Sequence, residues 1–198
     1  MNHNARTRKT TIALGAVMLL LAACKKDEEA APVPTPPATN EEEVITSLEL
    51  HFHSSGGSEH KHFNWRDLDG AGGADPVVTS DTLSADTVYM VEIVVLDESG
   101  DPVEDITAEI EGEKEAHQFF YQVSGSTTTV AYADADANGQ PVGLMTTWTA
   151  GAPGAGTVTV ILRHEPNKSA PGVSTGDITQ AGGETDIETV PPFPLMIE

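Results

Sequence analysis

Four of the chain's seven histidines fall in the stretch "HFHSSGGSEHKH": His51, His53, His60 and His62. A neutral imidazole is a ligand for zinc, copper or nickel, so residue type alone makes this segment a candidate transition-metal site. Spacing adds geometry. Gly56-Gly57 lies at the centre of the stretch, and Gly-Gly is a favoured hairpin loop because glycine takes positive φ without steric cost. A turn there opposes residues whose numbers sum to 113, so His53 faces His60 and His51 faces His62. Side chains alternate along a strand, which places all four imidazoles on one face. Leu48, Leu50, Phe52, Phe63 and Trp65 then share the other. A slip of one residue would reverse both faces, so the apolar pattern and the histidine pattern specify the same register.

Directly opposed Cβ atoms lie about 4.5–5.5 Å apart, a span from which imidazoles can converge on an ion bound at about 2.0–2.1 Å. Zinc is the expected ion, with Cu2+ or Ni2+ as alternatives. Glu49 and Asn64 oppose each other on the same face, where they would accept hydrogen bonds from the ligating rings. The competing reading is a polar hairpin face that uses histidine without a metal.

Weaker constellations follow. His117 stands near Glu113 and Glu115 in "EKEAHQ", and His164 precedes Glu165 in "RHEP"; both are candidates for a secondary metal site. "DADANG" places Asp134, Asp136 and Asn138 at the first three ligand positions of a calcium loop, but the twelfth position holds Met145 where such a loop requires Glu. The expectation is an acidic turn, with Ca2+ as the lesser alternative. The chain holds no phosphate-binding loop or H-E-x-x-H, and the expectation is a protein that is not an enzyme.

The formal net charge of −21 opposes any nucleic-acid partner, since phosphate binding needs a basic patch. The N-terminus carries Arg6, Arg8 and Lys9, then an apolar run ending in "LAAC". A basic head, a short apolar core and small residues before a cut describe a signal peptide over residues 1–23; the run is too short for a membrane span of about 20 residues. Cys24, the sole cysteine, stands where a lipobox places the acylated residue. "KKDEE" and a Pro/Ala/Thr-rich segment make residues 24–42 a linker, extended because proline restricts the backbone. Residues 43–198 are then one domain.

The elements that must position these groups read as strands. Val44–Phe52 and Lys61–Asp67 form the histidine hairpin. Thr87–Leu96 is apolar on both phases apart from Glu92 and suits a central strand. His117–Val123 and Thr127–Ala133 flank "SGS" and read as a hairpin. "GLMTTWTA" and "GTVTVILRH" flank "GAPGAG" and read as another. "PPFPLMIE" suits a final edge strand. The segment from Asp105 suits a short helix or irregular insertion, with Asp105 as N-cap, Ile106 and Ile110 one turn apart and a break near Gly112. The expected fold is all-β with minor α, an immunoglobulin-like β-sandwich.

Several stretches together, among them "EEEVITSLEL", "RDLDG", "EDITAEIEGEKEAHQFFYQ", "DADANGQPVGL" and "LRHEPNKSAPGVSTGDITQAGGETDIE", resemble a family of small Bacteroidota outer-membrane lipoproteins often labelled "type 1 periplasmic binding fold superfamily protein". The "LAAC" and "KKDEE" segments resemble the lipobox and surface-export signal of such proteins. The resemblance implies a lipid-anchored, surface-exposed or periplasm-facing protein that accompanies a TonB-dependent receptor in metal uptake. It implies no catalytic residues. The label's two α/β lobes do not suit a chain without strand–helix alternation. The alternative function is a structural, adhesive or glycan-binding β-sandwich lipoprotein.

Overall fold

The computed structural model describes residues 44–70 and 72–198. The signal peptide, Cys24 and the linker expected ahead of them lie outside the described residues.

The histidine hairpin forms in the expected register. Strands β1 (Ser47–Ser54) and β2 (His60–Arg66) pair antiparallel, with His53 opposite His60, His51 opposite His62 and Glu49 opposite Asn64. Leu48, Leu50, Phe52, Phe63 and Trp65 are buried on the other face. The turn differs from a two-residue loop. Ser54 N–H bonds to Glu59 O at the base and Gly57 N–H to Ser54 O within it, and only Gly57 takes positive φ, at +69°. A four-residue loop built on such a turn keeps the same register as a two-residue one. Glu59 fixes the base, its carboxylate accepting from Tyr89 Oη at 2.8 Å and Ser84 Oγ at 3.0 Å. Those two hydroxyls hold its pKa below the ordinary value.

Eleven strands among the described residues make two sheets. β3 is Val77–Ser80, β4 Val88–Asp97 and β5 Glu104–Asp105; β6 is His117–Ser124, β7 Thr129–Tyr132 and β8 Met145–Thr149; β9 is Gly154–His164, β10 Glu184–Glu188 and β11 Phe193–Ile197. The first sheet runs β3-β2-β1-β4-β8-β7 with β5 on β4. β4 is therefore interior in the strand order, as expected, but only one of its faces is covered: Val88 and Met90 on the other are exposed. In the second, β9 pairs with β6 along one edge. Its other edge takes β10 near the C-terminal end and β11 near the N-terminal end. Both sheets contribute to one core, in which Phe52, Tyr89 and Trp148 of the first layer lie in the same cluster as Phe119, Val160 and Phe193 of the second. Among the described residues this is a mostly-β sandwich with a single short α-helix. The helix, α1 (Ile106–Gly112), starts on Asp105, whose side chain accepts from Ala108 N–H, and buries Ile106 and Ile110.

Two of the expected hairpins do not form. β6 lies in the second sheet while β7 lies in the first, and β8 and β9 divide the same way. β7 pairs with β8 and β6 with β9, so one long hairpin bends from sheet to sheet. The bend falls at the two glycine segments that had read as turns. A Cβ on Gly156 would lie 2.5 Å from Ser124 O, and one on Gly151 would lie 2.1 Å from Thr127 Oγ1. The two chain segments therefore cross in contact, and glycine is needed for close backbone approach rather than for chain reversal.

Candidate metal centre

β6 and β9 place His117 directly opposite His164. Both residues share parity with core-facing neighbours, Phe119 on β6 and Leu162 on β9, so their side chains point between the layers at the end of the core. The third member comes from β10. There Thr185 opposes Arg163 and Ile187 opposes Leu162, which leaves Asp186 as the extra residue of a β-bulge. A bulge re-aims a side chain, and here it turns Asp186 toward the two imidazoles. Gly183 makes the approach possible: its φ is +70° and a Cβ on it would lie 2.2 Å from His164 O.

The ligand atoms of His117, His164 and Asp186 all lie within 4.8 Å of one another, a group geometrically compatible with binding a metal ion. The His117 and His164 ring centroids are 4.6 Å apart at 63°. His117 Nε2 and Asp186 Oδ2 are 3.9 Å apart, with the side chains 0% and 1% exposed. That is too long for a hydrogen bond. It suits two ligands about a common centre, since bonds of about 2.0–2.2 Å put ligand atoms roughly 3–4 Å apart. His117 Nδ1 lies 3.2 Å from Glu113 O. A carbonyl only accepts, so Nδ1 carries a proton, and Nε2, the nitrogen on the Asp186 side, is the one a neutral ring would offer to an ion. Fixing one ring nitrogen in this way to free the other is the arrangement that orients metal-ligating histidines. His164 Nδ1 is buried and makes no hydrogen bond among the described residues. Glu113 O lies just past the C-terminal end of α1, where carbonyl dipoles favour a cation, and the chain's charge of −21 has the same effect.

The hairpin histidines keep their shared face but divide into pairs. His53 and His60 meet Nδ1 to Nδ1 at 2.8 Å. His51 and His62 stack edge to face with centroids 4.8 Å apart, and His51 Nε2 bonds Glu49 Oε2 at 2.8 Å. Asn64 Nδ2 donates to Thr79 Oγ1 at 3.4 Å, away from the rings. Asp134 and Asp136 organise their turn. Asp134 accepts from Gly143 N–H and Met145 N–H. Asp136 accepts from Asn138 N–H, Gln140 N–H and Lys168 Nζ. Asn138 contributes its backbone to this turn.

Sequence reasoning named His117 and His164 but not Asp186. In "GETDIE", strict alternation sends the residue before a core-facing Ile187 outward, and only the bulge reverses it. Compared with protein-family profiles, curated proteins and solved structures, the chain shows no match, and the reading of this site rests on its own geometry.

Proposed function

We propose that the protein is a metal-binding β-sandwich lipoprotein, immunoglobulin-like in its finer class, that holds one divalent ion, zinc first, on His117, His164 and Asp186. The observation that carries the reading is the convergence of three ligand atoms from three strands in a place where the Asp186 side chain is 1% exposed. Two imidazoles and one carboxylate suit zinc. A cleft of about 300 Å³ beside α1 is lined by Glu92, Thr107, Glu111, Lys114 and Asp134 among others, and by none of the three ligands.

The test is calorimetric titration with zinc. One tight equivalent is expected near neutral pH. Affinity should fall steadily on acidification, because protons compete for the imidazole lone pairs. Absence of any tight equivalent would overturn the reading.

The proposed setting is the outer membrane, with Cys24 acylated and a TonB-dependent receptor as partner. It is supported by "LAAC", the "KKDEE" run and the family resemblance. Cys24→Ser should move the protein from the membrane to the soluble fraction, since the acyl chains supply the attachment. Continued fractionation with membranes would sink the lipoprotein assignment. A structural, adhesive or glycan-binding role is the alternative if no metal binds.

A further inference from the structure

The outer face of the first sheet carries a second constellation, formed by one row across three strands. β1 lies between β2 and β4, and His53 opposes His60 on one side and Met90 on the other. The backbone sets the spacing within this row. Ser54 N–H bonds Glu59 O across β1 and β2, so the next pair inward, His53 and His60, occupies the non-hydrogen-bonded position. Side chains approach most closely there, with Cα atoms about 4.5 Å apart. Ser55 N–H bonds Val88 O, which puts His53 and Met90 at the wider position, about 5.5 Å. A long thioether side chain spans that gap easily.

The nitrogens already converge. His53 Nδ1 and His60 Nδ1 are 2.8 Å apart and exposed to solvent. Two lone pairs at that separation repel, so one Nδ1 carries the shared proton. An ion placed between them would displace the proton and use both lone pairs. Met90 is 44% exposed, free to swing over the pair. The neighbouring row is committed differently: His51 Nε2 is held by Glu49, and Glu92 rather than a thioether opposes His51 on β4.

We propose that His53, His60 and Met90 form a surface site for a soft monovalent ion, copper(I), distinct from the buried His117/His164/Asp186 centre. Thioether sulfur is a soft ligand that selects Cu(I), and imidazole also suits copper. Two imidazoles and one thioether make a three-ligand, open-faced site on an exposed sheet, from which an ion can be taken up and passed on. The buried centre has one carboxylate and no sulfur, so the two sites sort ions by chemistry.

The test is competition for Cu(I) against a chromophoric chelator under reducing, oxygen-free conditions. It uses the full chain carrying Cys24→Ser, so that no thiol competes. One equivalent is expected. Met90→Leu should weaken it tenfold or more, and His53→Ala and His60→Ala at least as much. Met145→Leu on the adjacent row should change nothing, and His164→Ala should leave Cu(I) binding intact. Unchanged Cu(I) affinity in Met90→Leu, or loss of the equivalent in His164→Ala, would overturn the site. The zinc titration of Met90→Leu should match wild type, so failure of the surface site and failure of the buried one are read separately.

Discussion

Asp186→Ala is expected to lower zinc affinity by at least about 100-fold. Removing a group that only orients a ligand already costs roughly 10–100-fold, and Asp186 is placed to bind the ion itself. The effect should be visible in stability as well. At a zinc concentration about 100 times the dissociation constant, binding adds about 2.7 kcal/mol to the folded state; at about one times the constant it adds roughly 0.4 kcal/mol. Zinc should therefore raise the melting temperature of the wild type clearly and that of Asp186→Ala barely. His164→Ala should behave alike, because its imidazole is the second of the three ligating groups. His51→Ala and His53→Ala should keep the zinc response, since those rings stand on the outer face of the other sheet. Equal losses at all these positions would indicate diffuse attraction by a chain of charge −21 and not a centre.

Legibility in the sequence followed the range of the interactions involved. The β1–β2 register could be read because two periodic patterns, Leu48/Leu50/Phe52 with Phe63/Trp65 and the four histidines, agree only in one alignment. The helix could be read because its signals are local: Asp105 before it, Ile106 and Ile110 one turn apart, Gly112 at its end. Strand pairing beyond the first hairpin could not. Alternation marks β6, β7, β8 and β9 as strands, but the same glycine-rich segment serves a reversal within one sheet or a crossing between two. What decides is the contact of Gly156 with Ser124 and of Gly151 with Thr127, which is tertiary. The metal centre shows the same division. His117 and His164 are conspicuous by type, yet they meet only because β6 and β9 pair. Asp186 joins them through a one-residue bulge that no period-two reading anticipates.

Lys168→Met is expected to destabilise the fold by about 3–5 kcal/mol, the cost of removing one partner from a buried ion pair. Lys168 and Asp136 are 6% and 7% exposed, and Nζ lies 3.0 Å from Oδ2. Lys168 also donates to Lys114 O. The pair therefore clamps three segments: the excursion between β9 and β10, the connection from α1 to β6, and the turn at Asp136. Lys114 follows Glu113, whose carbonyl orients His117, so the clamp also steadies the metal centre. Asp136 accepts from Asn138 N–H and Gln140 N–H through Oδ1, and an amide oxygen can keep those bonds. Adding Asp136→Asn to Lys168→Met should therefore recover most of the loss, because no charge is then left buried. Burial pushes the Asp136 carboxyl up, but the Gln140 N–H, the Lys168 ammonium and the Asn138 N–H outweigh it and hold its pKa below the ordinary value. A depressed carboxylate contributes stability that is fully present above its unfolded pKa of about 3.9 and is lost as pH falls through the folded one. Urea denaturation should accordingly show a gap between wild type and the double variant that is constant from about pH 5 to 8 and narrows only in strong acid. A gap that changes across the neutral range would mean that Asp136 is not the group that Lys168 neutralises.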